Sequence, residues 1–450
     1  MVAHVVLDRA LLEKYACTES CQGPYSPLMH LRKDFSEKAY RQAAQASNED
    51  PIPRPLSVSL CLPASHDLDE LNTCPGVDTA RHTACINEYI GHFEREIALQ
   101  AALFDKDRQI EHVHVNGDLS ACMKYTQWER LFGVLTHHFS LAQGDQPTST
   151  IDIRPDSASS GYIALLGELG FTHLNLIART QTSFPGQGSG RFCVESLVPL
   201  IDAARQAQLQ GVGITLTYGY PQQTLASFES DLAKLVALRP DQVSLYYHRF
   251  FDAENATTTL PLAHLQQAIL HFKEAGYQHL GLGHFALAED DLTVNWHRHT
   301  LRYDLGGYSP RRSCDLIGLG AGAFSRLDDS YSQNTLGLSH YFNHLDQGRL
   351  PVWRGYKLNF DDLLRREIVH QLLDRHRVEV KAIEERYHIV FRKYFASELV
   401  ALTPFVEDGL VTLTTNAITL QPAGQVLLEP VSALFAPFRN KARQRLFRIV

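Results

Sequence analysis

The densest group of side chains that could bind a ligand lies between residues 65 and 74. It follows an apolar run, Leu56–Leu62, that is typical of a buried strand with an abrupt end. Carboxylates follow at Asp67, Asp69 and Glu70. Their oxygens suit a hard cation, although a solvated acidic loop has the same composition. From these residues alone we predict a solvated loop, with a cation site as the alternative.

Two histidine pairs, among 22 histidines, are spaced so that both rings could reach one metal ion or a haem iron. His112 and His114 alternate along a predicted strand, so both imidazoles project from one face. His297 and His299 follow Trp296 in a predicted loop. Imidazole nitrogen binds zinc and occupies axial positions on haem. A structural role is the simpler interpretation of either pair.

The eight cysteines show no paired framework, and Cys17 and Cys21 form the only close pair. A lone C-x-x-x-C is a weak metal signal, so we expect reduced, mostly buried thiols. The net charge of -8 argues against binding to nucleic acid or anionic lipid. Neither a signal peptide nor a run of roughly eighteen apolar residues is visible. We therefore expect a cytoplasmic protein without a membrane span.

Short β-rich runs alternate with amphipathic helical segments between about residues 55 and 285. The helical segments, such as Ile86–Leu99, carry apolar residues three and four positions apart. Strand and helix in alternation imply a parallel sheet with helical crossovers. We predict an α/β fold with a partial or complete (β/α) barrel. Its predicted strands are Leu56–Leu62, His112–Asn116, Thr150–Ile153, His173–Ala178, Gly213–Tyr218, Gln242–Tyr247 and Gln278–Gly283.

Three regions of the chain differ in pattern, and we predict a domain from each. Residues 1–54 carry little regular pattern and are predicted to form an N-terminal arm, whereas residues 55–354 form the barrel. In residues 355–450, helical segments precede two alternating runs, Gly409–Thr414 and Ala417–Gln421. A separate C-terminal α+β domain is therefore expected.

Several segments together resemble the oxygen-independent coproporphyrinogen III oxidases, a radical-SAM family. They are YGYPQQTLASF at 218–228, AGYQHLGLGHFA at 275–286 and GGYSPRRSCDLIGLGAGAFS at 306–325. The resemblance covers roughly residues 25–450. It implies a radical-SAM-type barrel, a winged-helix-like C-terminal domain, and a [4Fe–4S] cluster and S-adenosylmethionine as cofactors. The implied activity is oxidative decarboxylation of coproporphyrinogen III.

The loop that carries the cluster in that family is altered here. In the family it has four cysteines spaced C-x-x-x-C-x-x-C-x-C, three of which hold the cluster. On the same spacing this chain has Ser65, Asp69, Asn72 and Cys74. The resemblance places the remaining thiol at the family's non-ligating position, and iron–sulfur clusters need soft thiolate ligands. We predict that the cluster is lost; a different ligand set, Cys61, Cys74 and Cys85, would require a large rearrangement.

The resemblance also places the family's S-adenosylmethionine pocket on residues that differ from the family pattern. A Gly-Gly-Gly-Thr-Pro run is replaced by a segment that begins Asn116-Gly117 and continues with bulky Leu119. The family's acidic contact to the methionine moiety corresponds to Asp152, and the fourth- and fifth-strand positions correspond to Arg179 and Thr215. Only Arg191 matches the family's carboxylate-binding arginine. We therefore predict that neither the cluster nor S-adenosylmethionine is bound.

Other family residues are retained, and we attribute most of them to maintenance of the fold. Thr224, for example, is predicted to cap a helix. The remainder leaves room for a ligand surface on the half of the barrel that faces the tetrapyrrole in the family. His284, at the end of a predicted strand, and Tyr218 are the candidates. Haem binding would require a neutral imidazole whose second nitrogen is hydrogen-bonded.

Three functional hypotheses follow from these residues. The first is a pseudoenzyme of the family that binds a porphyrin, a haem or a partner protein. The second is an active oxygen-independent coproporphyrinogen III oxidase of porphyrin biosynthesis. The third is an adaptor or regulator that acts through the C-terminal domain, with an active paralogous enzyme as its partner. Residues 65, 69 and 72 separate the second hypothesis from the others, and tetrapyrrole binding separates the first from the third.

Overall fold

The computed structural model describes residues 9–16, 30–63, 79–117, 123–142, 148–178, 194–219, 223–247, 260–310 and 314–436. The strands are β1 Leu56–Cys61, β2 Gln109–Asn116, β3 Ser140–Leu141, β4 Thr148–Ile153, β5 His173–Ala178, β6 Gly211–Tyr218, β7 Gln242–Tyr247, β8 Tyr277–Gly281, β9 His284–Leu287, β10 Arg302–Asp304, β11 Gly307–Ser309, β12 Asp315–Leu319, β13 Phe324–Leu327, β14 Ser330–Asn334, β15 Val352–Lys357, β16 Arg377–Glu379, β17 Val411–Leu413 and β18 Ala417–Leu420.

The helices alternate with these strands in the first part of the chain and predominate in the last part. They are α1 Arg9–Ala16, α2 Glu37–Asn48, α3 Thr79–Ala101, α4 Tyr125–His138, α5 Ser160–Glu168, α6 Val198–Gln206, α7 Leu225–Leu238, α8 Leu260–Glu274, α9 Asp291–His297, α10 Leu338–Asp346, α11 Phe360–Arg375, α12 Val380–Tyr387, α13 Phe391–Tyr394, α14 Ala396–Glu407 and α15 Leu428–Phe435. Thr224 caps α7 as predicted, because its Oγ1 accepts a hydrogen bond from the Ser227 N–H at 3.1 Å.

The main sheet has the order β15-β14-β13-β12-β1-β2-β4-β5-β6-β7-β9-β8. Strands β12, β1, β2, β4, β5, β6 and β7 pair in parallel. Antiparallel strands extend the sheet at both edges. The predicted α/β fold with a radical-SAM-type barrel is confirmed, with helical crossovers between the parallel strands.

Alternation along each parallel strand separates an apolar face from a polar one. On β1, for example, Leu56, Val58 and Leu60 are fully buried in the main core. Ser57 and Ser59 instead line the inside of the barrel. Barrel interiors are usually filled by bulky branched side chains. Small residues at these positions leave the interior open, and the core lies between the sheet and the helices.

The predicted strand Gln278–Gly283 covers all of β8 except its first residue, and its last two residues belong to the reversal into β9. The chain turns between β8 and β9 with positive φ at Gly281, Leu282 and Gly283. A side chain on Gly283 would lie 2.6 Å from the carbonyl oxygen of Leu245, so glycine is required there. His284 therefore begins β9, antiparallel to β7, whereas the sequence predicted that it would close a strand.

A second hydrophobic core is built from the C-terminal helices and the small sheet β16-β18-β17. Helix α1 joins this core, because Tyr15 stacks on Phe405 with ring centroids 4.5 Å apart. The small antiparallel sheet with surrounding helices is the α+β arrangement predicted for this region. Among the described residues, no helix has both the length and the apolar character that membrane crossing requires.

Candidate functional site

The open barrel encloses a cavity of about 1010 Å³. Alternate residues of β1, β2, β4, β5, β6 and β7 form one wall, and the β10–β11 hairpin with its flanking residues forms another. Pockets for small ligands typically measure about 300–1,000 Å³. The cavity is therefore large enough for a sizeable organic ligand, and its lining is the candidate functional site.

A chain of polar contacts crosses four strands of the first wall. Asp152 Oδ2 lies 3.2 Å from His114 Nε2, and its Oδ1 accepts a hydrogen bond from Asn175 Nδ2 at 2.9 Å. Thr215 Oγ1 in turn donates to Asn175 Oδ1 at 3.1 Å. The structure thus joins two sequence candidates, Asp152 and Thr215. Asn175, which links them, was not among the predicted residues.

This chain of contacts changes the pKa of His114. Burial favours the neutral imidazole, but the charge and the hydrogen bond of Asp152 outweigh burial and raise the pKa of His114. Because the folded-state pKa lies above the unfolded value, the ion pair stabilises the protein at low pH. That stabilisation is lost as the pH rises through the folded pKa.

Asp152→Asn is therefore expected to lower the pKa of His114, which an NMR titration of its ring protons would measure. The loss of stability should be larger near about pH 6 than at alkaline pH, where the imidazole is neutral in both proteins. Asp156→Asn, which replaces an exposed carboxylate, serves as the control. An unchanged His114 titration in Asp152→Asn would contradict the proposed tuning.

Asn116 and Gly117 occupy the end of β2, next to the end of β1. The Leu62 N–H donates to the Asn116 carbonyl oxygen at 2.8 Å, and Asn116 Nδ2 donates to Ser59 Oγ at 3.4 Å. Gly117 has φ +107, and a Cβ there would lie 1.8 Å from the carbonyl oxygen of Leu62. The approach of these two strands therefore accounts for the retained glycine without a cofactor.

The remaining predicted cofactor positions, Ser65, Asp69, Asn72, Cys74, Arg179 and Arg191, lie outside the described residues. The thiol that precedes them in sequence, Cys61, lines the cavity. Burial, followed by the nearby carboxylate of Glu96, raises the pKa of Cys61 to about 11. Cys61 is therefore a protonated thiol at neutral pH in the metal-free protein.

His284 faces the cavity from β9, which pairs with β7 at the edge of the first wall. Its Nδ1 lies 2.9 Å from Ser244 Oγ, and burial lowers the pKa of His284 to about 4. The imidazole is therefore neutral at physiological pH. Aromatic rings surround it edge-on: the centroids of Tyr308 and Tyr246 lie 5.3 Å and 5.8 Å from that of His284.

Tyr218, the other ligand candidate, lies on the helix side of β6. It is 4% exposed and contacts Phe228, Tyr247 and His264 through ring centroids 5.2–5.8 Å apart. Strand parity explains this position, because Gly211, Gly213 and Thr215 face the cavity and even-numbered residues face the helices. His284 alone of the two ligand candidates lines the cavity.

The two histidine pairs have different environments. His112 and His114 both line the cavity, with ring centroids 6.4 Å apart. His297 ends α9 and is exposed, as is His299. Over the described ranges, no group of three or more His, Cys, Asp or Glu side chains is placed to hold a metal ion.

A basic wall completes the cavity and was not predicted from the sequence. Arg302, from the β10–β11 hairpin, and Arg326, from β13, line it together with His370 of α11. The hydrogen bonds that hold the hairpin to α11 include those from Tyr308 OH to the Leu373 carbonyl at 3.0 Å and from the Tyr303 N–H to Asp374 Oδ1 at 2.8 Å. No local sequence motif marks these residues, because they meet only in the folded chain.

Comparison with solved structures gives the class of the protein. The structure of coproporphyrinogen III oxidase from Escherichia coli, a radical SAM enzyme, aligns with a TM-score of 0.81 at 26% sequence identity. The alignment covers 96% of this chain and 99% of that chain. The chain therefore has the fold of a radical-SAM-type α/β barrel protein with its C-terminal region included.

Curated relatives narrow this class. The oxygen-independent coproporphyrinogen III oxidase of Pseudomonas aeruginosa is 30% identical over 375 residues, which cover 80% of this chain and 82% of that one. The Synechocystis sp. oxidase is 29% identical over 460 residues and 98% of each chain is covered. The chain belongs to the oxygen-independent coproporphyrinogen III oxidase family. A scan against family models gave no match.

The family is expected to carry a [4Fe–4S] cluster and S-adenosylmethionine, but the donors present here do not fit the cluster. The corresponding positions supply a hydroxyl, a carboxylate, an amide and one thiol. Iron–sulfide centres are held by thiolates, so this set of side chains is chemically mismatched.

Proposed function

We propose that this member of the family is a pseudoenzyme that binds a tetrapyrrole in the barrel cavity without radical chemistry. The observation that carries the proposal is His284, a neutral imidazole in the cavity wall whose Nδ1 is held by Ser244. A ring nitrogen fixed in this way leaves the other nitrogen for a ligand. The protein would be a binding protein related to an enzyme.

The contacts of Asp152 support the part of the proposal that excludes S-adenosylmethionine binding. Both carboxylate oxygens of Asp152 are engaged by neighbours within the wall, His114 and Asn175. A cofactor that used this carboxylate would have to displace one of those contacts. Together with the mismatched cluster donors, this favours a site that has been rebuilt for another purpose.

The second candidate function is that of the relatives, oxygen-independent coproporphyrinogen III oxidase. The specific observation that favours it is the 98% coverage of both chains in the match to the Synechocystis sp. oxidase. The two candidates differ in cluster content but agree that a tetrapyrrole enters the barrel. Measurements of tetrapyrrole binding and of iron content therefore test different parts of the proposal.

Titration with haemin is expected to give a saturable shift of the Soret band, and His284→Ala should weaken haemin binding about tenfold or more through loss of the iron ligand. Iron-free coproporphyrin III should bind wild type and His284→Ala with more similar affinity. His297→Ala, which removes an exposed imidazole outside the cavity, is the matched control.

These titrations separate the outcomes. Equal haemin affinity in wild type and His284→Ala would remove His284 from the site. No spectral change with either haemin or coproporphyrin III would overturn tetrapyrrole binding and favour the adaptor hypothesis. Thermal melting of each variant would verify that the protein remains folded.

A further inference from the structure

Arg326 is a buried cation in the cavity wall with an incomplete set of hydrogen bonds. Its side chain is 6% exposed, and Nη2 lies 2.8 Å from Asp304 Oδ2 and donates to the carbonyl of Cys314. Its Nε has no hydrogen-bond partner among the described residues. A guanidinium presents five N–H donors in a planar fork, and a buried unpaired donor is destabilising. Arg326 therefore lines the cavity with hydrogen-bonding capacity to spare, although Nε itself lies beneath the cavity surface.

A second guanidinium and a buried imidazole line the wall beside this donor. Arg302 contributes a second guanidinium, 36% exposed, whose Nη1 lies 3.3 Å from Asp374 Oδ2. Burial, followed by the neighbouring Arg366, Arg326 and Arg302, lowers the pKa of His370 to about 3. Burial also raises the pKa of Asp374 to about 7, despite Arg302. Near neutral pH, Asp374, which pairs with Arg302, therefore carries less than a full negative charge.

We infer that Arg302, Arg326 and His370 form a carboxylate-binding subsite that takes an acidic side chain of the bound tetrapyrrole. The inference rests on the proposed function and deepens it. The chain already shows the chemistry, because the Asp304 carboxylate occupies one side of the Arg326 guanidinium. A planar guanidinium matches a carboxylate in two parallel hydrogen bonds.

The subsite lies next to aromatic rings, so one tetrapyrrole could contact both the rings and the subsite. Tyr303 follows Arg302 on β10, and its ring centroid lies 4.9 Å from Tyr308 and 6.3 Å from His284. A macrocycle near these rings would present its peripheral acids to the basic wall. Binding would then combine apolar contact with the ring and charge-assisted hydrogen bonds to its acids.

The test compares coproporphyrin III with its tetramethyl ester, which has the same ring without charge. Arg302→Gln and Arg326→Gln are each expected to raise the Kd for coproporphyrin III roughly ten- to a hundredfold, the range for a lost hydrogen bond to a charged group. The Kd for the ester should change less than about twofold by comparison. Arg239→Gln, which removes a 65% exposed arginine, is the control.

The outcomes distinguish this inference from the proposed function. If wild type binds the acid and the ester equally and Arg302→Gln has no effect, the subsite is wrong and tetrapyrrole binding stands. If wild type binds neither compound, the proposed function fails and the subsite fails with it. Should buried Arg326→Gln not fold, as judged by melting, the partly exposed Arg302→Gln decides the matter alone.

Discussion

Arg108→Met is expected to lower the free energy of unfolding by about 3–5 kcal/mol, since it leaves a buried carboxylate without its main partner. Arg108 and Asp315 have side chains that are each 2% exposed, and Arg108 Nη2 lies 2.7 Å from Asp315 Oδ2. The same guanidinium donates to Ser47 Oγ at 2.6 Å and to the Arg54 carbonyl at 2.7 Å. Denaturant titration followed by circular dichroism would measure the loss.

Two further variants separate the buried pair from a general effect of losing an arginine. Arg95→Met removes the cation of a pair with Asp346 in which both side chains are 55% exposed, and it should cost about 0–1 kcal/mol. Arg108→Met combined with Asp315→Leu should recover part of the stability, because no unpaired charge remains. Equal losses in Arg95→Met and Arg108→Met would refute the assignment.

The Arg108–Asp315 pair also gives a structural reason for part of the resemblance to the family. Asp315 begins the segment Asp315–Ser325, which resembles the family closely. Its N–H donates to the Pro55 carbonyl at 2.9 Å, so it ties β12 to the start of β1. Gly320 follows, and a Cβ there would lie 2.1 Å from the Cys61 carbonyl oxygen. Packing between the barrel strands therefore accounts for much of the resemblance of this segment to the family.

Local pattern was sufficient to predict most of the parallel strands of the main sheet, but not β12 or the antiparallel strands β13 to β15. The bounds of β5 and β7 agree with the predicted strands His173–Ala178 and Gln242–Tyr247, since apolar runs of this length leave little choice. The split into β8 and β9 was missed because the predicted strand ended at the Gly281–Gly283 turn, which continues instead into a second strand. An apolar run does not show where a chain turns back on itself.

The candidate site was harder to predict, because its contacts depend on register and on distant parts of the chain. Parity along β6 could have placed Tyr218 on the helix side, opposite Thr215. To predict the contacts from Asp152 through Asn175 to Thr215, by contrast, one must know the register of β4, β5 and β6. Arg326 and His370 reach the cavity from β13 and α11 only after the barrel and the C-terminal region have come together.

The two walls of the cavity differ in how far their polar groups are paired. In the first wall, both carboxylate oxygens of Asp152 are engaged by neighbours, whereas the basic wall contains the Arg326 Nε, which has no hydrogen-bond partner among the described residues. A ligand gains little by binding to groups that already have partners and more by binding to groups that lack them. This contrast supports the proposal that His284 and the basic wall bind a tetrapyrrole. It gives no support to a reaction at the first wall.

Anaerobic reconstitution with iron and sulfide is expected to leave the protein with far less than the four irons per chain of a [4Fe–4S] cluster. Ser65, Asp69 and Asn72 supply no thiolate at the ligand positions, which leaves Cys74 as the one thiol among the four loop positions. Iron and sulfide assays with electron paramagnetic resonance of the reduced sample would measure this. The coproporphyrinogen III oxidase of Escherichia coli, treated in parallel, controls for the procedure.

A variant that restores the three thiols, Ser65→Cys with Asp69→Cys and Asn72→Cys, sharpens the comparison. If donor chemistry alone prevents cluster assembly, this variant should take up iron and sulfide in equal amounts while wild type does not. A stoichiometric four-iron cluster in wild type would instead overturn the pseudoenzyme proposal in favour of an active oxidase. Such a cluster would have to draw thiolates from elsewhere in the chain, because at most one can come from the four loop positions.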